Sequence, residues 1–302
     1  MNMIGVPCLA LGLSSFSAAG ETAPDPTYGN VSYGADERNV MDVWIPKGMD
    51  DRAPFPCVFY IHGGGWLNGD KSEVFKKFDY LPALLKEGYA VVSIHYRFIS
   101  KHPFPAPMVD AARALQFVRS KAGEWNIHKD KFAVAGQSAG GCTALWLAFA
   151  DDQADSKSAD PVARESTRVS CTYVTQAQST LDSKQLVEWT GNDLVFQHHM
   201  IKGAFGYPES AKDPDGILVK KYSPAANLGA GDPPVLYFVS GKESPPDNTN
   251  HAIHHPGFLT GLKALADKAG VSVEKNTEGA KGMLVFLKKH LIENTQPKEG
   301  KS

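Results

Sequence analysis

No stretch of this sequence is long and apolar enough to cross a bilayer; the nearest, residues 4–13, is about half the roughly 20 residues a spanning helix needs. Charge of one sign is lacking as well. The 31 basic and 33 acidic residues are interspersed and leave a net charge of -2, so there is no field to steer a nucleic acid or an anionic membrane, and neither is expected as a partner. Cysteine is scarce: Cys8, Cys57, Cys142 and Cys171 sit in apolar surroundings with no C-x-x-C spacing. That argues for free thiols rather than a disulfide framework or a metal site. Internal repeats and low-complexity tracts are absent too.

What is present begins with size. A chain of 302 residues, 42% of them hydrophobic, can bury a sizeable core, and one domain over residues 24–295 is expected. At the N-terminus the apolar residues 4–13 are followed by small residues, Ser17 and Ala19, of the kind a signal peptidase needs. Residues 1–19 therefore read as a signal peptide, with export to the periplasm or beyond. The missing Lys and Arg ahead of the apolar run, and Pro7 within it, favour the alternative of a cytoplasmic protein with an N-terminal tail.

Two motifs dominate the rest. Phe132, Ala133, Val134 and Ala135 form an apolar run that stops in Gly136-Gln137-Ser138-Ala139-Gly140-Gly141 and resumes as the helix-favouring Thr143-Ala144-Leu145-Trp146-Leu147. Strand, sharp turn and helix fit this pattern, with Ser138 at the tip of a G-x-S-x-G elbow. The residues around it must be small because the turn brings two backbones together. A plainer reading, a glycine-rich turn with an incidental serine, has to contend with the second motif. Upstream, Val58-Phe59-Tyr60-Ile61 leads into His62-Gly63-Gly64-Gly65-Trp66. Glycines there let backbone N–H groups approach a carbonyl oxygen that gains negative charge during acyl transfer.

The remaining pattern is of strands separated by helices. Residues 31–33 and 40–46 alternate apolar and polar, as an antiparallel hairpin at a sheet edge does. Buried parallel strands are expected near residues 89–96, 169–174 and 235–240, and a short one at 271–274. Helices are expected over 72–86, 108–122, 257–269 and 283–292. Residues 151–166 are polar and read as a loop. Residues 183–227 mix Trp189, Phe196, Phe205 and Tyr207 into a polar helical segment, which reads either as a small lid-like insertion or as an excursion packing its aromatics onto the core.

On GQSAGG and HGGGW the chain resembles the α/β-hydrolase fold, specifically the branch of bifunctional feruloyl and acetylxylan esterase-like proteins and, more distantly, hormone-sensitive-lipase-like esterases. The resemblance runs from about Tyr28 to the last helix. It implies an α/β fold with a mostly parallel central sheet and helices on both faces, Ser138 as nucleophile, and oxyanion-hole donors from the N–H groups of Gly64, Gly65 and Ala139. It implies no cofactor and no metal. Its substrate would be a small or medium ester, including acetyl or feruloyl groups on an acylated carbohydrate.

Two implied parts do not match. The acid normally ends a G-x-x-D pattern, yet Gly241-Lys242-Glu243-Ser244 ends in serine; the histidine turn before the last helix is replaced by Gly279-Ala280-Lys281-Gly282. A serine needs a base, normally a histidine oriented by a carboxylate. His62 belongs to the oxyanion motif, His290 lies near the end of the last helix where the dipole favours it, and surface roles suit His95, His128, His198 and His199. The loop after the 235–240 strand carries His251, His254 and His255, and its tip should lie beside the elbow. His255, or failing it His254, is the expected base, with Asp247 as its acid and Asp182 or Glu243 as alternatives. Pro256 could start a helix with His255 as its cap, and that structural use competes with the catalytic one. A metal site from the three histidines lacks a matching Cys or carboxylate pattern, and Lys281 is a further candidate base. Two functions follow: an esterase acting through an acyl-enzyme, or a binding protein on the same fold that has lost its base.

Overall fold

The structure is a computed structural model that describes residues 24–293 apart from 53, 77–80, 208 and 210. The expected signal segment 1–19 lies outside the described residues.

The strands are β1 Tyr28–Ser32, β2 Val40–Trp44, β3 Phe55–Ile61, β4 Ala90–Ile94, β5 Ile127–Gln137, β6 Cys171–Thr175, β7 Val235–Phe238 and β8 Val273–Lys275. They form one 8-stranded sheet in the order β1-β2-β4-β3-β5-β6-β7-β8. β1 and β2 are antiparallel and form the expected edge hairpin, and all pairings from β4 onward are parallel. Alternation along β3 explains why the sheet is covered twice. Cys57, Phe59 and Ile61 enter one buried cluster with Met108, Leu115 and Leu145, while Val58 and Tyr60 enter another with Leu84 and Phe286. A strand buried on both faces reads as a continuous apolar run, as FPCVFYI does. This is the expected α/β-hydrolase architecture.

The expected helices shift at their ends. The stretch 108–122 is the helix Ala106–Ser120, 257–269 is Gly257–Ala269, and the last helix is Ala280–Lys288 followed by a π turn Lys289–Glu293. In the region expected to be one helix, Glu73–Lys76 and Leu81–Lys86 flank residues that are not described. No helix among the described residues is long and apolar enough to cross a membrane. Cys57, Cys142 and Cys171 are buried and form no disulfide among the described residues, and burial pushes the thiols of Cys57 and Cys142 far above the usual thiol pKa.

Between β6 and β7 the chain builds the helices Ser183–Thr190, His199–Phe205, Ile217–Tyr222 and Pro224–Asn227, with a 3-10 turn at Asp193–Gln197. Their aromatics are used as packing: Phe205 and Tyr222 close on Phe104, and Tyr222 also lies on Trp146. The insertion is nevertheless placed beside the HGGGW loop, because His199 lies against Gly65.

The order of the strands positions the site. Connections from β3 lead first to β4 on one side and then back past β3 to β5 on the other, so the strand order reverses between β3 and β5 while the strands stay parallel. Ligand crevices in open α/β sheets open at such a point, at the carboxyl ends of the strands. HGGGW follows β3 and Ser138 follows β5.

Candidate active site

Ser138 sits between the end of β5 and the helix Ala139–Phe149 with φ 50 and ψ -123, a backbone conformation that L-residues rarely adopt. The surroundings hold it there. Its N–H donates to Thr175 O at the end of β6 (2.9 Å), and its own carbonyl accepts the N–H of Cys142 (2.9 Å). The neighbouring glycines are required by contact: a Cβ on Gly136 would lie 2.4 Å from Gly140 O, and one on Gly141 2.7 Å from the Ala177 Cβ. This is the geometric content of G-x-S-x-G.

The HGGGW loop packs directly on the elbow. A Cβ on Gly63 would sit 3.0 Å from Gln137 O and 3.4 Å from the Ser138 Cβ. Gly64 and Gly65 have φ +96 and +62, in the region that favours glycine. Trp66 Nε1 donates to Ala139 O and Thr143 Oγ1, each at 3.1 Å, and the Tyr96 hydroxyl bonds the carbonyls of His62 and Gly63 at 2.9 Å. His62 is part of this frame. Its ring stacks on Tyr96, Nδ1–H donates to Gly63 O (2.8 Å), and burial drives its pKa down to about 3, so it stays neutral. Gly63, just ahead of the candidate donors Gly64 and Gly65, thus lies against the serine, and the backbone here is fixed by the side chains of Tyr96 after β4, Trp66 in the loop and Thr143 in the elbow helix.

The imidazole at the serine is that of His254. Its Nε2 lies 2.9 Å from Ser138 Oγ, and its Nδ1 lies 3.2 Å from the backbone oxygen of Asn250. A carbonyl can only accept, so Nδ1 carries the proton and Nε2 offers its lone pair to the serine hydroxyl. A triad's carboxylate sets the same tautomer. The carbonyl differs in carrying no net charge, so it supports an imidazolium less. Burial lowers the His254 pKa below its ordinary 6.5, with the Asn250 hydrogen bond acting in the opposite direction.

His255, the first choice on sequence grounds, is not at the serine. Its Nδ1 accepts the N–H of Gly257 (3.0 Å), and Nε2–H donates to Ser244 O (3.2 Å). The helix Gly257–Ala269 has Pro256 as its N-cap, and the buried ring of His255 just before it satisfies the helix's first N–H. Asp247 is not its acid either: it faces His251 Nδ1 (3.3 Å) and the Asn248 side chain (2.7 Å), with its own side chain largely in solvent. Asp182 caps the helix Ser183–Thr190 by accepting from Lys184 N and Gln185 N. Glu243 and Lys281 are exposed. Among the described residues none of the candidate acids bonds His254. His251 is also committed, through Nε2 to Lys242 O at 2.9 Å, and among the described residues no group of three or more His, Cys, Asp or Glu could hold a metal.

Two histidines expected at the surface lie closer to the site. A Cβ on Gly65 would be 2.7 Å from His199 Nε2, and the His198 ring lies 4.0 Å from that of His199. His198 is buried, caps its helix by accepting from Met200 N, and is held neutral by burial and by His199 and His254, with its pKa lowered to about 3. No spacing in the sequence signals this. Two surface cavities, about 400 Å³ around Arg38, His95 and Phe98 and about 600 Å³ around Trp189, Glu243 and His255, have neither Ser138 nor His254 in their linings. The contact between those two side chains, not cavity volume, marks the site.

The BD-FAE family profile matches residues 41–246, a span that holds the HGGGW loop, the elbow and β7. The chain belongs to the BD-FAE family. His254 lies just beyond the matched segment. Among curated relatives it is 32% identical over 111 residues to esterase LipC of Mycobacterium tuberculosis (37% of this chain, 27% of that one) and 37% identical over 100 residues to carboxylesterase NlhH of the same species (32% and 29%). The matched stretch therefore spans less than a third of either relative's length. Among solved structures, a truncated carbohydrate esterase from gut microbiota superposes with a TM-score of 0.66 at 19% identity, covering 87% of this chain and 95% of that one. An acetyl ester-xyloside bifunctional hydrolase from Caldicellulosiruptor lactoaceticus does so at 0.61 and 21%, covering 89% and 95%. At such identities the BD-FAE chain shares their fold.

Proposed function

We propose that the protein is a serine-dependent carboxylic ester hydrolase working through an acyl-enzyme on Ser138, with His254 as a base that among the described residues has no carboxylate behind it. The observation that carries this reading is the 2.9 Å contact between Ser138 Oγ and His254 Nε2 at a strained elbow. Ser138 Oγ attacks the ester carbonyl carbon as its proton moves to His254 Nε2. The carbonyl oxygen becomes an oxyanion facing the N–H groups of Gly64, Gly65 and Ala139. Collapse breaks the bond to the alcohol oxygen, which takes the proton from His254. Water then repeats the sequence on the acyl-enzyme and regenerates the serine.

Membership of the BD-FAE family and the likeness to a carbohydrate esterase and an acetyl ester-xyloside hydrolase support a small acyl group on a carbohydrate as substrate. Export, as read from residues 1–19, fits a polymeric substrate met outside the cell. The competing reading is a binding protein without a base, motivated by the missing histidine turn; the contact of His254 with Ser138 supports the enzyme over it.

A fluorophosphonate probe tests the proposal. Wild-type protein should label and should hydrolyse 4-nitrophenyl acetate, and Ser138→Ala should do neither. A wild type that fails in both assays would end the reading.

The acid limb of the pH profile is a second test. The base must be neutral to act, and its folded pKa is depressed, so it stays neutral at lower pH than an ordinary histidine. The midpoint of the acid limb of kcat/KM, which reports the free enzyme, should fall below 6.5. A limb centred at or above neutrality would contradict a base held by a carbonyl alone.

A further inference from the structure

Among the described residues no carboxylate stands behind His254, so other contacts must hold the base in place. The loop that carries it is tied down at several points: Asn192 Nδ2 donates to Pro246 O (2.8 Å), His251 bonds Lys242 O (2.9 Å) and His255 bonds Ser244 O (3.2 Å). Those ties hold the loop's outer turn. The tie to the peptide next to the base comes from the sheet. After β6 the chain passes through Gln176, Ala177, Gln178 and Ser179, and the fully buried Gln178 directs Nε2 at Ile253 O (2.7 Å), with a longer contact to Gln176 O (3.3 Å).

The carbonyl of Ile253 and the N–H of His254 belong to one planar peptide. Gln178 holds its oxygen, and its N–H donates to Asn250 O (3.3 Å), the same oxygen that faces His254 Nδ1. Both ends of that plane are therefore fixed, leaving His254 its side-chain torsions to settle against Ser138 and Asn250. Asn250 lies in a helix of 5 residues, too short to be rigid by itself, so without a link to the sheet its carbonyl and the imidazole would drift together. Gln178 Oε1 is buried with no hydrogen-bond partner among the described residues. An apolar side chain of similar volume would avoid that unpaired oxygen but would lose the N–H to Ile253, so the N–H is what the amide contributes here.

We infer that Gln178 is a positioning residue, anchoring the Ile253–His254 peptide to the end of the sheet so that the imidazole meets Ser138 without help from a carboxylate. The inference rests on the proposed Ser138–His254 chemistry. Displacement of a catalytic group by about 1 Å can lower the rate on the order of a hundredfold, which scales the expected effect.

Gln178→Met keeps the length and removes the donor. Its kcat on 4-nitrophenyl acetate should fall by about 10- to 100-fold with KM within about twofold. Long-range 1H–15N spectra of the imidazoles should show His254 moving from a single Nδ1–H tautomer in the wild type to an averaged one. Ser179→Ala is the control. It deletes the adjacent buried hydrogen bond to Phe258 O (2.6 Å), which lies beyond the base in the following helix, and should lower stability while leaving kcat near wild type. Should the Met variant not fold, Gln178→Asn, which withdraws the amide by one methylene, carries the same expectations. Wild-type kcat and an unchanged tautomer in a folded Gln178 variant, or an equal kcat loss in Ser179→Ala, would overturn the inference. Failure of the underlying reading looks different: His254→Ala would keep wild-type turnover, and the His254 tautomer in the Gln178 variants would still report whether the peptide is anchored.

Discussion

His254→Ala is expected to lower kcat for a chromogenic acetate by about a hundred- to ten-thousandfold, while His255→Ala leaves kcat close to wild type and lowers the melting temperature. The range follows from how triads behave when dismantled. Removing the base from a complete triad costs on the order of a millionfold, and removing the acid alone about thirtythousandfold, because the members act as a unit. A site that begins without the acid has already given up part of that rate, so the further loss on removing its base is smaller. It does not shrink to nothing, because the Asn250 carbonyl still sets the productive tautomer. What remains in the variant is catalysis from the oxyanion donors and binding. His255 is different in kind. Its ring caps the helix Gly257–Ala269 and staples Ser244, and losing such a cap costs roughly 1 kcal/mol of stability. Asp247→Asn should also leave kcat unchanged, since that carboxylate faces His251. Steady-state kinetics beside thermal melts of the three variants separate the roles. Equal kcat losses at His254 and His255 would contradict the geometry.

That contrast also shows what could be read from residue order and what could not. The elbow and the HGGGW loop were legible because tight backbone approach excludes side chains, and exclusion of side chains is written directly as glycine. The sheet was legible for a similar reason: burial on both faces leaves mostly apolar runs in β3, β4 and the second half of β5. The loop bearing the base was legible from its three histidines and its position after β7, but the choice among them was not. It turned on one residue of phase at the end of the short helix Thr249–Ile253, and Pro256 committed the neighbouring ring to capping. The acid was illegible in principle. In the proposed site its orienting task falls to a backbone oxygen, which every residue possesses, so no side chain at Asn250 announces it. The approach of His199 to Gly65 is tertiary and left no spacing to find.

Of alanine substitutions at Gly140, Gly65 and Gly123, Gly140→Ala should be the most damaging, lowering stability by about 2–3 kcal/mol and kcat by roughly a hundredfold. A Cβ there would lie 2.2 Å from Ile61 O and 2.3 Å from His62 O. Both are backbone atoms where β3 passes into the HGGGW loop, so no rotamer change relieves the contact. The helix Ala139–Phe149 would have to back away from β3, carrying Ser138 and the Ala139 N–H from the loop proposed to supply the other oxyanion donors and stretching the bond from Trp66 Nε1 to Ala139 O. Gly65→Ala meets a softer obstacle, the far end of His199 at 2.7 Å, although its φ of +62 strains any side chain. Gly123→Ala, with nothing within 4 Å of the added carbon, should leave stability and kcat near wild type. Denaturant unfolding and kcat measured on all three place them in the order Gly140, Gly65, Gly123. If Gly140→Ala were as benign as Gly123→Ala, the elbow helix and β3 could not be in the contact on which both the nucleophile and its oxyanion donors depend.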